Sequence, residues 1–153
     1  MKPRIETKIL NPLIGNKIPL PDYATEGAAG MDIRACIDEA VVLKARHGLI
    51  IPAGFALSIH DKNLCAILAP RSGLGIKHGI ILSNNIGVID SCYQGEIQVG
   101  LFNRSAEDFL INQGDRICQL LFMPVVQVAL TVVADFSQTT VRGTGGLGHT
   151  GLA

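Results

Sequence analysis

The chain has no surplus of either charge: 13 Lys and Arg balance 13 Asp and Glu. It therefore carries no general basic field to hold nucleic acid or an anionic membrane, and any anion has to be met by a local cluster. Long apolar runs are missing too. Although 48% of residues are hydrophobic, no stretch approaches the roughly 20 continuous apolar residues of a membrane helix. Asn11, Pro12, Asn16 and Lys17 break the start of the chain. With no signal-peptide pattern, the cytoplasm is the expected location. Cys36, Cys65, Cys92 and Cys118 form no Cys-x-x-Cys, and His47, His60, His78 and His149 are scattered, which argues against structural zinc. Three of the cysteines lie in apolar runs and read as small buried residues, and a chain able to build its own core has little need of disulfides. No window shows a helical period, and no repeat of solenoid length is present.

What remains is a series of short apolar runs separated by turn residues. Residues 1–24 mix Ile9, Leu10, Leu13 and Ile14 with Pro3, Pro12, Pro19 and Pro21, which suits an edge strand and an extended connection. Runs at 41–43, 47–52, 55–59, 64–68, 80–83, 96–102, 117–122 and 125–133 follow. Strands at this spacing predict an all-β fold, a jelly roll or related sandwich. In the run at 96–102, Ile97, Val99 and Leu101 alternate with Glu96, Gln98 and Gly100, the period of a sheet with one wetter face.

The stretch 84–97 attracts attention as a hairpin that holds something. Apolar residues run into Asp90, and Tyr93 stands between Gly87 and Gly95. A carboxylate on a rigid frame suits a general base, and tyrosine offers a flat apolar face with a polar end. Asp90 and Ser91 are also ordinary turn residues. At Ala69-Pro-Arg-Ser-Gly-Leu-Gly, Pro70 ends a strand and Ser72 can cap a helical turn whose free amides, beside Arg71, make an anion site; a plain glycine turn is the alternative. Asp32, between Met31 and Ile33, is a turn acid or a site acid. Gln119, inside an apolar strand, needs backbone or ligand partners. Gly143, Gly145 and Gly148 satisfy G-x-G-x-x-G, but no helix can follow so near the end, so the choice is a floppy terminus or an arm that folds over phosphates.

In order and spacing, Ala29-Gly-Met-Asp-Ile-Arg-Ala35, Pro70-Arg-Ser-Gly-Leu74, Gly87-Val-Ile-Asp-Ser-Cys-Tyr-Gln-Gly95, Gly114-Asp-Arg-Ile-Cys-Gln119 and Arg142-Gly-Thr-Gly-Gly-Leu-Gly148 resemble the five motifs of the trimeric dUTPase family. The resemblance implies a jelly-roll domain over residues 1–136 and a flexible glycine-rich arm over residues 137–153. It implies a homotrimer that hydrolyses dUTP to dUMP and pyrophosphate with Mg2+, limiting uracil in DNA and supplying dUMP for thymidylate synthesis. Neither nucleic acid nor membrane is an expected partner. Three sites are implied at subunit boundaries, each closed by the arm of another chain.

Carried over residue by residue, the resemblance makes Asp90 the base that activates water and puts Tyr93 beneath the deoxyribose. Asn84 and Ile89 meet the nucleoside, while Arg71, Ser72, Gly73 and Gln119 hold phosphate. Asp32 holds magnesium through water, the ion being carried mainly by the triphosphate. Arg142 reaches the outer phosphates, and Leu147 and Gly148 complete the arm. Two positions depart from the family pattern: Cys92 stands where a second acid is usual, and Leu147 where an aromatic covers the uracil ring, which predicts weaker clamping. The competing activities are dCTP deamination on the same fold and a nucleotide-binding regulator without catalysis.

Overall fold

The computed structural model describes residues 3–147. Among the described residues there are ten strands: β1 (Glu6–Ile9), β2 (Met31–Arg34), β3 (Val41–Leu43), β4 (Gly48–Ser58), β5 (Leu64–Ala69), β6 (Ile80–Leu82), β7 (Gly87–Ile89), β8 (Glu96–Asn103), β9 (Phe109–Ile111) and β10 (Arg116–Pro124). They make two four-stranded sheets, ordered β1-β4-β8-β6 and β2-β10-β5-β7, and a two-stranded ribbon β3-β9. All named pairings are antiparallel. This is the expected all-β jelly roll, with β1 at a sheet edge. Among the described residues no helix is long and apolar enough to cross a membrane.

The period of two decides which side chains meet between the sheets. In β8, Ile97, Val99 and Leu101 are buried while Glu96, Gln98 and Gly100 face outward. Against them pack Phe55 and Leu57 of β4, Leu68 of β5, Leu82 of β6 and Leu120 of β10, each contributing about 1.5–3 kcal/mol by leaving water. Asn103 is the one buried polar side chain among the described residues. Its Nδ2 donates to the Leu43 and Glu107 carbonyls and its Oδ1 accepts from Ser105. The ribbon is thereby tied to β8, and no desolvation penalty is left unmet.

The runs expected at 47–52 and 55–59 are one strand. Gly54 (φ 78°) makes a bulge in β4 that the chain passes without breaking, its carbonyl accepting from the Leu10 and Asn11 amides at 2.9 and 3.0 Å. The left-handed φ suits glycine. Two other expectations fail. Residues 125–133 form no strand; the Val125 amide still bonds the Asn63 carbonyl, but Val126, Val128, Leu130 and Val132 are 75–98% exposed. Strand-like alternation is present, and within one chain nothing pairs with it. Residues 84–97 are not a hairpin either, because β7 pairs with β5 while β8 belongs to the other sheet. The segment is an arch between the sheets.

Cys36, Cys65 and Cys118 are buried and Cys92 is exposed, all four free. Burial, followed by the charge of Asp32, pushes the Cys118 thiol up to about 12. Burial first, then Glu96 and Asp38, raises Cys36. Raised thiols stay protonated, so their contribution to stability is full below the ordinary thiol range and is lost as pH rises toward the folded value. One thiol of the four should therefore react with a disulfide reagent in the native protein at mildly alkaline pH, and the rest only on unfolding. Stoichiometric labelling of a Cys92→Ser variant in the native state would contradict this.

Candidate active site

The arch between β6, β7 and β8 encloses a cavity of about 230 Å³, lined among others by Leu68, Leu82, Asn84, Ile89, Asp90, Tyr93 and Gln98. Its shape follows from the local sequence. Asn85 takes a left-handed φ of 61°, which asparagine tolerates, and its amide donates to the Leu82 carbonyl at 3.0 Å. Gly87 lets β7 close on β5, since a Cβ there would lie 3.0 Å from that of Leu68. Beyond β7 the Tyr93 amide donates to the Asp90 carbonyl (3.1 Å), and the Tyr93 hydroxyl donates to the Glu96 carbonyl (2.9 Å). Gly95 is required beneath that ring, because a Cβ would sit 2.5 Å from the hydroxyl oxygen. The outer edge of β7 pairs with no strand, and β6 leaves β8 at Gly100. Edge backbone groups of β7 therefore border a floor that includes Leu68, Leu82 and Ile97.

A second cluster lies on the other sheet. Asp32 receives Arg71 Nε on Oδ1 at 2.9 Å and Arg116 Nη1 on Oδ2 at 3.3 Å. Register places Gln119 opposite Asp32 on one side and Ala69 on the other, so its side chain shares their face. Arg71 emerges just beyond Ala69. The turn before β10 is fixed by the Asn112 amide on Asp115 Oδ2 (2.8 Å) and the Ala35 amide on the Asp115 carbonyl (2.8 Å). Ser72 and Gly73 enter a π-helical turn, Leu74–His78, and Ser72 makes no side-chain cap. The anticipated capping bond is absent because Gly73, not Ser72, is the capping residue and already has helical φ and ψ. Ser72 and Gly73 remain exposed beside Arg71.

The fold thus gathers Asn84, Ile89, Asp90 and Tyr93 at the slot, with the Ile89 side chain also in the core. Asp32, Arg71 and Gln119 form the cationic cluster. The described part of the arm, residues 137–147, is not brought to either group. Arg142 donates from Nε to the Gly145 carbonyl at 2.9 Å, within its own turn. Leu147 is fully exposed, and no described arm residue lines the slot. Gly148 lies outside the described residues. Sequence reasoning missed Arg116, taken only as part of a turn, and Gln98, taken only as the wet face of a strand. Their signals were a charged side chain following a tight turn, and a glutamine one pleat from Glu96.

Among the described residues no group of three His, Cys, Asp or Glu forms a metal cage, and both Asp32 oxygens meet arginine. Such a donor set does not bind magnesium by itself. It fits only an ion that would arrive with phosphate oxygens and keep much of its water, which Asp32, beside Arg71, could meet.

A jelly roll with a nucleoside-sized slot and a separate cationic cluster defines a β-protein suited to a nucleotide. The family model described as dUTPase matches residues 16–151. The chain is 54% identical over 148 residues to a deoxyuridine 5'-triphosphate nucleotidohydrolase of Pasteurella multocida, covering 97% of each chain. It is 49% identical over 151 residues to that of Escherichia coli, covering 99% of each. The fold matches a Staphylococcus bacteriophage 80alpha dUTPase mutant with dUpNHpp (TM-score 0.81, 23% identity, 99% of this chain and 100% of that one). It also matches a dUTPase mutant of phage phi11 of S. aureus described with a structural Mg(II) ion (TM-score 0.76, 22% identity, 88% and 99%). The chain belongs to the dUTPase family and is an enzyme of it.

Proposed function

We propose that the protein hydrolyses dUTP to dUMP and pyrophosphate, with the slot taking the deoxyuridine and the cationic cluster the triphosphate. The observation that carries this reading is the position of Asp90 and Tyr93 together at the rim of a slot whose other walls are apolar side chains, glycines and the two amides Asn84 and Gln98. Tyr93, held by its hydroxyl on Glu96, presents its ring to the sugar, where a 2′-hydroxyl would be crowded. Asp90 takes the proton of a water attacking the α-phosphorus. Arg71, the amides at Ser72 and Gly73, and Gln119 bind phosphate oxygens and meet the charge that grows on them during transfer. Magnesium, when bound with the substrate, neutralises part of that charge.

Assembly into a homotrimer in the cytoplasm belongs to the same proposal. The exposed alternation Val126, Val128, Leu130 and Val132 is a strand face without a partner in its own chain, and a second copy supplies one. The same arrangement lets the arm close a site on a neighbouring subunit, with Arg142, Leu147 and Gly148 reaching the phosphates and base.

The test is to incubate the protein and magnesium with each deoxynucleoside triphosphate and follow pyrophosphate. Release from dUTP alone is expected. Ammonia from dCTP would indicate deamination, which requires a dedicated acid and water at the pyrimidine C4. Binding without turnover would indicate the regulatory alternative, against which the retention of Asp90 argues.

A further inference from the structure

Residues 90–95 carry both Asp90 and Tyr93, and little holds them. They pair with no strand, and none of them belongs to or packs against the main core. Tyr93 is tied to its own loop, its amide donating to the Asp90 carbonyl and its hydroxyl to the Glu96 carbonyl. Among the described residues, one hydrogen bond runs from this loop to anything beyond Glu96. Gln94 Nε2 donates to Ser58 Oγ at 2.8 Å, across 36 positions of sequence.

That bond follows from register. Ala56 lies opposite Glu96 where β4 meets β8, so two residues further out in each direction, on the same face of an antiparallel pair, come Ser58 and Gln94. The ladder has ended there, and the side chains still meet. Glu6 of β1 lies opposite Ser58 on its other side. Ser58 Oγ is also 3.1 Å from His60 Nε2, which meets Glu6 Oε2 at 2.8 Å. The acceptor therefore stands on a regular strand within a row of bonded side chains, not on a second loop. The bond is exposed, and Ser58 and Gln94 border a surface cavity of about 450 Å³, so it sets position more than it adds stability.

The Tyr93 ring lies against Gly95, where a Cβ would come within 2.5 Å of the hydroxyl oxygen, so the ring and residues 94–96 move together. The rest of the slot is held otherwise: β7 pairs with β5, β8 with β4 and β6, and the Asn85 amide bonds the Leu82 carbonyl. None of those bonds passes through Gln94. We propose that Gln94 is a positioning residue for Tyr93, and that its bond to Ser58 fixes the ring closely enough to exclude a ribose 2′-hydroxyl. This rests on the slot taking deoxyuridine with Tyr93 against the sugar. A ring free to withdraw makes room for the hydroxyl, so selection of the sugar weakens while selection of the base stays.

The experiment compares wild type, Gln94→Leu, Ser58→Ala, the double variant and Ser58→Thr, measuring kcat and KM for dUTP and the inhibition constants of UTP and dCTP. In Gln94→Leu and in Ser58→Ala the preference for dUTP over UTP should fall by about fivefold, the scale of one net hydrogen bond. The preference over dCTP and the kcat for dUTP should each stay within about twofold, because Asp90 follows directly on the paired Ile89. The double variant should match either single one, since both remove the same bond. Ser58→Thr, which keeps the hydroxyl on a β-branched side chain suited to a strand, should retain the wild-type preference. Unchanged preference over UTP in both single variants, additive losses in the double variant, or an equal loss of preference over dCTP would overturn the proposal. Failure of the wild type to release pyrophosphate from dUTP would instead overturn the substrate assignment.

Discussion

Asp90→Asn should bind dUTP within a few-fold of wild type and lose turnover by about 10²–10⁴-fold, the usual contribution of a positioned general base. The two side chains have nearly the same shape. Among the described residues the Asp90 carboxylate has no hydrogen-bond or salt-bridge partner, and only its main-chain carbonyl is engaged, by the Tyr93 amide. The substitution therefore breaks nothing that holds the loop, and the slot should keep its form. What disappears is a group able to accept a proton, since an amide oxygen is far too weak a base at neutral pH. Affinity measured by calorimetry with a non-hydrolysable dUTP analogue should separate from kcat measured by pyrophosphate release. Near-normal kcat would remove Asp90 from the role of base. A parallel loss of affinity would assign it to binding instead. Asp32 is a different kind of acid, because its two oxygens hold Arg71 and Arg116 and its removal releases both cations.

The difference between those two carboxylates shows what the sequence could carry. Period-two alternation made Ile97, Val99 and Leu101 legible as core and Glu96, Gln98 and Gly100 as surface, because burial in a strand depends on nearest neighbours along the chain. Positions of Asp90 and Tyr93 at a rim were legible for a similar reason: glycines flank them and the strand ends there. Pairing between distant segments was not. Nothing local states that β7 takes β5 as its partner, so an arch looked like a hairpin. The union of Asp32 with two arginines needs β2, the end of β5 and the start of β10 side by side, a matter of register between strands some 35 to 85 residues apart. Residues 125–133 have the pattern of a strand, and the pattern is real. A strand also needs an edge to pair with, and one chain supplies none.

Removing residues 142–153 should leave a folded, assembled protein whose kcat/KM for dUTP is lower by about 10²–10³-fold, the scale of losing a cation and water exclusion at a phosphoryl group. The structural half of that expectation follows from burial. Among the described residues none after Phe122 belongs to or packs against the main hydrophobic core, and the Arg142 guanidinium bonds within its own turn. The melting temperature should therefore stay within a few degrees of the full chain. Assembly should persist as well, since the apolar residues at 126, 128, 130 and 132 remain. The catalytic half follows from charge. Asp32 offsets one of the two arginines it holds, leaving a single net positive charge to face a triphosphate, and Arg142 is the guanidinium of the arm stretch that resembles a family motif. If a neighbour's arm closes over bound substrate as proposed, it adds that charge in the closed state, and the loss should fall on both KM and kcat. Mixing the truncated chain with an Asp90→Asn full-length chain offers the decisive measurement. If arms act between subunits, mixed assemblies combine intact Asp90 slots with intact arms and recover activity that neither parent has. Absence of recovery in demonstrably mixed assemblies would confine each arm to its own chain, and full activity in the truncated protein alone would remove the arm from catalysis.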